Sequence, residues 1–388
     1  MTRGLVSSAR GMLCRMTALI CVIETARDGV QAAVAAVALF ALALMPEAPA
    51  FAQQQQRPPE NAPAAGVLRS INVGFVRHAV GGWTAKIANG GFDTSTGRTI
   101  RWYPHDTDSS VVAALSSGRL DIGLMGSPVA ASAIARGLDL RIFFVLGASA
   151  ESDGLVIGVD AHAAATTAAT VKIGEPKSLQ GKVIAVSFGS SPHFRLLESL
   201  KRWGTSVASM RIVNLQSTQI AEAWKRGEID AAAVSEPLLG QLLLRGRLAV
   251  LPGSVDKTGL MVFAAAGDFV AQHLVFLSRF VDFVARADQG SAGSEPLAGD
   301  NPDIKSIAFM TGLSPEAVVA AMARNHPPSL EEQATTSWLG GGSESAMIAH
   351  LKSAIDVWRW AGRLTGSDLD LATAIAAEPV QMALGYRK

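Results

Sequence analysis

Gly118-Arg119-Leu120-Asp121-Ile122, followed by Gly126-Ser127-Pro128 and closed by Arg136-Gly137, is the stretch on which the fold of this chain turns. The chain uses it twice: Gly227-Glu228-Ile229-Asp230-Ala231 comes 109 residues later, with Glu236-Pro237 and Arg245-Gly246 at the same offsets. Each copy reads as one physical unit. A glycine adopts the left-handed backbone conformation cheaply and so ends a helix. A short apolar strand follows, and a proline, whose missing N–H costs nothing in a first helical turn, opens the next helix. Two such units predict two similar α/β lobes, each with a strand that ends at a helix N-terminus.

Working outward, 388 residues leave room for two domains. A hydrophobic content of 49% against 17% charged residues is enough to fill a sizeable core, and a net charge of +1 gives no electrostatic footprint for nucleic acid. The N-terminus reads as an export signal. Arg3, Arg10, Arg15 and Arg27 precede an uncharged apolar run at 30–45, and Ala50-Phe51-Ala52 offers a small-x-small cleavage site before Gln53. The run is shorter than the roughly 20 residues of a spanning helix. An uncleaved anchor and a start further downstream are the alternatives. Cys14 and Cys21 both fall inside the leader, so the exported chain is expected to have no disulfide, thiolate nucleophile or cysteine metal site.

Residues 53–66 are Gln-, Pro- and Ala-rich and read as part of a disordered linker. From Ser70 strands and helices alternate: strands at 70–76, 99–103, 121–125, 140–146 and 154–159, with helices at 83–88 and 109–117. Residues 161–174 are Ala/Thr-rich and read as a loop. The second lobe has strands at 183–187, 211–215 and 247–251 and helices at 192–203 and 218–226, and a strand at 260–266 returns to the first lobe. From Phe269 onward helical periodicity dominates, with caps at Ser314-Pro315 and Ser329. This tail is expected to pack on the first lobe. The expected division is a signal peptide at 1–52, a linker at 53–69, lobe 1 with its helical tail at 70–158 plus 252–388, and lobe 2 at 159–251.

In open α/β sheets ligands bind beyond the C-terminal ends of the strands, which nominates four loops: Arg77-His78 to Gly82, Gly126-Ser127-Pro128, Gly189 to His193, and Ser235-Glu236-Pro237. Three of them offer a helix N-terminus flanked by Ser or Gly, where unpaired N–H groups and the positive dipole end suit an oxyanion. Ser127 and Ser191 stand before prolines at such starts, with Ser190 alongside, and their hydroxyls can cap the helix or turn to a ligand. Arg77 and His78 could complete an anion site. His193, in a first helical turn, is expected to stay neutral. Glu236 could serve its helix dipole or meet a cationic ligand group. Metal spacing, a phosphate-binding loop and a Gly-x-Ser-x-Gly elbow are absent from the sequence, so neither cofactor nor metal is expected.

These same stretches carry a resemblance. Ala114-Leu115-Ser116-Ser117-Gly118 through Gly126-Ser127, Leu179-Gln180-Gly181-Lys182-Val183-Ile184-Ala185-Val186, Ser190 to His193, and Ile212 through Asp230 with Pro237 are similar to the periplasmic substrate-binding proteins of taurine and aliphatic sulfonate ABC importers. The resemblance implies a two-lobed, type II-like periplasmic-binding-protein fold, each lobe a mixed sheet flanked by helices. It implies hinge closure around a small sulfonate-like anion and delivery to a membrane permease by a monomer in the periplasm, without catalysis and without nucleic acid. It assigns the sulfonate-facing parts to Gly126, Ser127, Ser190, Ser191 and His193. Acids that family members direct at the taurine amine align with Met261 and Val80, and only Glu236 or Asp106 could replace them. If neither reaches the cleft, an alkanesulfonate should bind better than taurine. The alternatives are a nitrate- or pyrimidine-type ligand, a sensory binding protein, and an enzyme on the same fold. The reactive cysteine of the clan's enzymes has no counterpart after residue 52.

Overall fold

The computed structural model describes residues 70–80, 83, 84, 87, 98–148, 153–158, 170–172, 179–243, 246–250, 259–292, 299–324, 327–366 and 370–385. The expected leader (1–52), the expected linker (53–69), the Gly81-Gly82 turn and most of the helix at 83–88 lie outside the described residues. In order, the chain forms β1 (Ile71–Val76), β2 (Ile100–His105), β3 (Ile122–Gly126), β4 (Leu140–Ala148), β5 (Asp153–Gly158), β6 (Thr170–Lys172), β7 (Val183–Val186), β8 (Arg211–Asn214), β9 (Ala231–Ser235), β10 (Gly246–Val250) and β11 (Leu260–Ala266). The helices that cover them are α1 (Asp108–Ser116), α2 (Ser127–Ala135), α3 (Ser191–Arg202), α4 (Ser217–Lys225) and α5 (Leu238–Leu243). The tail adds α6 (Gly267–Gln272), α7 (Leu274–Ala292), α8 (Pro302–Thr311), α9 (Pro315–Arg324), α10 (Leu330–Gln333), α11 (Ala346–Trp360) and α12 (Glu378–Gly385).

The strands form two mixed sheets, ordered β2-β1-β3-β11-β4 and β6-β10-β5-β9-β7-β8. Apart from the edge strand β6, the second order repeats the first: β8-β7-β9 runs parallel as β2-β1-β3 does, and β5 lies antiparallel to β9 and β10 as β11 does to β3 and β4. Each lobe therefore borrows its antiparallel strand from across a crossover. This corrects the expected boundary: Asp153–Gly158 was assigned to lobe 1 but pairs in the second sheet, because the first crossover comes before Asp153 rather than after Gly158. The expected loop at 161–174 also contains β6, which pairs parallel with β10.

The duplicated aspartate has a structural reason. Asp121 donates its N–H to the Asn72 carbonyl at 2.8 Å, and its carboxylate accepts the Asn72 N–H, also at 2.8 Å. Asp230 does the same to Val183, at 2.9 Å and 2.8 Å. Each aspartate thus pins its strand against the neighbouring parallel strand, β1 in the first lobe and β7 in the second, extending the ladder by a side-chain bond. Gly118 and Gly227, which precede them, both have φ of +68° and terminate α1 and α4 as expected. Two residues beyond the aspartates, Gly123 pairs with Gly74 in the first sheet, and Ala232 with Ala185 in the second. A methyl at Gly123 would come within 2.7 Å of both Val111 and Leu115 on α1, so that helix lies directly on the sheet backbone.

The tail follows the first lobe, as expected. Gln333 accepts the Val145 N–H at 2.8 Å and donates to the Val145 carbonyl at 3.0 Å, and Ala376 donates to the Ile142 carbonyl at 2.8 Å, so the edge strand β4 is covered. Ser329 caps α10, accepting the Glu332 N–H at 3.1 Å. The tail also reaches the second lobe. Trp358 on α11 packs against Phe194 and His193 of α3, with ring centroids 5.5 and 5.2 Å apart, and Phe194 and Leu197 are buried in the first lobe's core.

Candidate functional site

Five parallel strands, β1 and β2 of one sheet and β7, β8 and β9 of the other, end at one cavity of about 220 Å³, as the strand-end rule anticipates. The first lobe contributes Arg77, Asp106 and Asp108; the second contributes Ser190, Ser217 and Glu236 among others. Of the nine residues nominated from sequence, Arg77, Ser190 and Glu236 line this cavity. Its charged lining is one guanidinium against three carboxylates, those of Asp106, Asp108 and Glu236. Arg77 Nε donates to Asp106 Oδ1 at 2.8 Å. Glu236 Oε2 accepts the Gly240 N–H at 3.1 Å, the capping role its helix start predicted. Ser190 caps α3, its Oγ accepting the His193 N–H at 3.4 Å while donating to the Ser187 carbonyl at 2.6 Å.

Two of the three helix starts nominated for an oxyanion, those after Gly126 and at Ser191, do converge, but on a group the protein supplies itself. Asp108, buried at the first turn of α1, accepts the Gly126 N–H through Oδ1 at 2.7 Å and the Ser191 N–H through Oδ2 at 3.0 Å. One donor belongs to the first lobe and the other to the second, so this carboxylate bridges the lobes. The Ser191 hydroxyl is buried beside it without a hydrogen-bond partner among the described residues, and a methyl added at Gly126 would run into that hydroxyl.

The remaining nominated residues are placed elsewhere. Ser127 is fully buried; its Oγ accepts the Leu260 N–H at 3.3 Å and lies 2.7 Å from His350 Nε2 on α11. Burial holds the His350 imidazole below its usual range, and its neutral ring shares one hydrogen bond with the Ser127 hydroxyl, the tautomer deciding which of the two donates. Both sides of the Ser127 hydroxyl are thereby engaged within the first lobe and its tail. His193 is buried between Phe188, stacked at 4.7 Å, and Trp358. Its Nδ1 accepts the Gly189 N–H at 3.0 Å. Burial, with the nearby Arg363 guanidinium, lowers its pKa to about 3, so the expected neutral imidazole stands, but it is not among the cavity-lining residues. His78 is buried outside that lining as well. Met261 is buried in β11 opposite Gly126, and Val80 packs with Ile304, Ile307, Leu313 and Val318 under the tail.

Asp108, Thr107, Ser217, Thr218 and Gln241 line the cavity and were missed. The signal for the first four was available: they follow β2 and β8, whose C-terminal ends obey the same rule as the loops that were chosen. No group of histidine, cysteine and acidic residues suited to a metal occurs among the described residues, nor any helix long and apolar enough to cross a membrane.

The family model of the NMT1-like family matches residues 65–296. The taurine-binding periplasmic protein of Escherichia coli (strain K12) is 30% identical over 286 residues, which cover 72% of this chain and 85% of that protein. A putative aliphatic sulfonates-binding protein of the same organism is 24% identical over 232 residues, 59% of this chain and 67% of the relative. Among solved structures, the alkanesulfonate-binding protein SsuA from Xanthomonas axonopodis pv. citri, bound to MOPS, superposes with a TM-score of 0.62 at 21% identity, covering 80% of this chain and 99% of its own; that likeness speaks to the fold. With its duplicated strand order, its interlobe cavity and these matches together, the chain belongs to the NMT1-like family, in company with the taurine-binding periplasmic protein.

Proposed function

We propose that the protein is the solute-binding component of an ABC importer, exported, acting as a monomer, and closing its lobes around a small aminosulfonate of the taurine class. The observation that carries this reading is the cavity at the strand ends, lined from both lobes by Arg77 and Asp106 on one side and Ser217 and Glu236 on the other. Contacts that exist only when both lobes meet make ligand binding favour closure. The charge of the lining selects within the sulfonate class. An ammonium buried without a carboxylate is costly, and the acids aligned with Met261 and Val80 are missing. Here Asp106, Asp108 and Glu236 surround the space, which suits a ligand with a cationic nitrogen. Arg77 and the N-terminal turn of α4, with the hydroxyls of Ser217 and Thr218, are the groups suited to the sulfonate. Glu236 and Asp106, the two acids on which the preference turns, both line the cavity, which supports taurine over an alkanesulfonate. In this reading the chain binds its ligand and presents it to a permease rather than transforming it.

A thermal-shift screen of the purified chain against taurine, ethanesulfonate, sulfate, nitrate and pyrimidines tests this. The expected result is the largest stabilisation with taurine. A larger shift with nitrate or a pyrimidine would replace the ligand class.

A further inference from the structure

One anion seat among the described residues is already filled. The N–H groups of Gly126 and Ser191, each at the start of a helix of nine residues or more, point at one position from opposite lobes. That is the arrangement that holds phosphates and sulfonates elsewhere. Here it holds the Asp108 carboxylate, one oxygen per N–H, at 2.7 and 3.0 Å. Two further facts mark it as a ligand seat and not only a helix cap. The Ser191 hydroxyl, 4% exposed as a residue, is aimed against Gly126 and has no partner among the described residues. And a methyl at position 126 would meet that hydroxyl, so as placed the hydroxyl lies directly against the Gly126 backbone and close to the Asp108 carboxylate.

We propose that Asp108 is a tethered surrogate for a ligand's oxyanion: it occupies the seat between Gly126 and Ser191 and so sets specificity against ligands that have an anionic head and no cationic group. Resting on the reading that the adjoining cavity takes the ligand, this explains why the lining is acid-rich. With Asp108 in the seat, a simple oxyanion meets a carboxylate at the best donors in the cleft and finds Arg77 already paired with Asp106. A ligand with an ammonium instead gains from the same carboxylate.

The test uses the full chain with Asp108→Ala and Asp108→Asn, titrated calorimetrically with ethanesulfonate, taurine and sodium sulfate. The expected result is that Asp108→Ala binds ethanesulfonate at least tenfold more tightly than wild type while its taurine affinity falls, moving the preference between the two by well over tenfold. Asp108→Asn, which keeps the shape and removes the charge, should move the same way by a smaller factor, and it carries the test if the alanine variant does not fold. Sulfate separates this proposal from the ligand assignment. If wild type ignores taurine, the assignment fails, yet sulfate should still bind the uncharged variants more tightly than wild type. Folded variants that bind ethanesulfonate and sulfate no better than wild type would overturn the surrogate role, whatever taurine does.

Discussion

The same sequence unit has been put to two uses in the two lobes. In the first lobe, the helix start after β3 is covered by the tail: Ser127 meets His350, and Trp358 Nε1 donates to the Pro128 carbonyl at 2.9 Å, both from α11. In the second lobe, the start after β9 opens on the cavity, which Ser235, Glu236 and Pro237 line together with no tail residue among the described ones. The Asp121 and Asp230 pins and the terminating glycines are alike, so the difference does not arise within the unit. It arises from the C-terminal extension, which closes one copy while the other opens on the cavity. A motif's chemistry here is decided by what a distant segment packs over it.

Variants can break this contrast, and the largest effect is expected from Trp358→Ala. It removes a buried indole from the first lobe's core, its bond to Pro128 and its contact with α3. Such truncations cost about 3–5 kcal/mol, read as a lowered midpoint in urea unfolding. Next come the pins. Asp121→Ala and Asp230→Ala each strand a backbone N–H, that of Asn72 in β1 and of Val183 in β7, a loss of roughly 1.5–3 kcal/mol apiece. Similar losses in both lobes would support the duplication, whereas a large loss in one lobe only would show that the copies are not equivalent. Ser127→Ala should cost about 1–3 kcal/mol of stability and leave ligand affinity unchanged, since the hydroxyl is spent on the tail. Glu236→Gln should do the reverse, weakening taurine about tenfold or more with little change in the unfolding midpoint. A Ser127 variant that loses affinity without stability would return that residue to the site.

The smallest expected effect is on pH dependence. His193 titrates near 3 in the folded chain because burial, then Arg363, disfavours its charged form. The unfolded chain takes up that proton near 6.5, so the stability contributed by the neutral ring is complete above 6.5 and is lost as pH falls from there towards 3. The slope is at most about 1.4 kcal/mol per pH unit. His350 is displaced in the same direction and adds to it. His193→Gln should flatten unfolding midpoints measured between pH 7 and 4, and an unchanged slope would mean that His193 does not stay neutral in the fold.

The architecture was readable because the local signals agreed. Gly118 and Gly227, the spacing to Asp121 and Asp230, and the alternating apolar runs all pointed to duplicated α/β lobes, and strand β11 falls at the residues expected from sequence. The site was only half readable. Arg77, Ser190 and Glu236 follow strand ends, which is a local property, and they line the cavity. Ser127 and His193 have equally good local credentials, but α11 arrives from more than 150 residues away along the chain and packs on both, through His350 on Ser127 and Trp358 on His193. Asp108 is legible only in part: its place after the end of β2 is a local property, but its bridging role is not. Its neighbours Gly126 and Ser191 are 18 and 83 residues away in sequence, so nothing local announces that the three meet.

The central claim is that an acid-lined cavity shared by the two lobes selects a ligand with both a sulfonate and a cationic nitrogen. Calorimetric titration of the wild-type chain with taurine and with ethanesulfonate, ligands that differ in the amine, tests it most directly. The account predicts that taurine binds at least tenfold more tightly, about 1.4 kcal/mol or more. Ethanesulfonate binding as tightly as taurine, or more tightly, would contradict it.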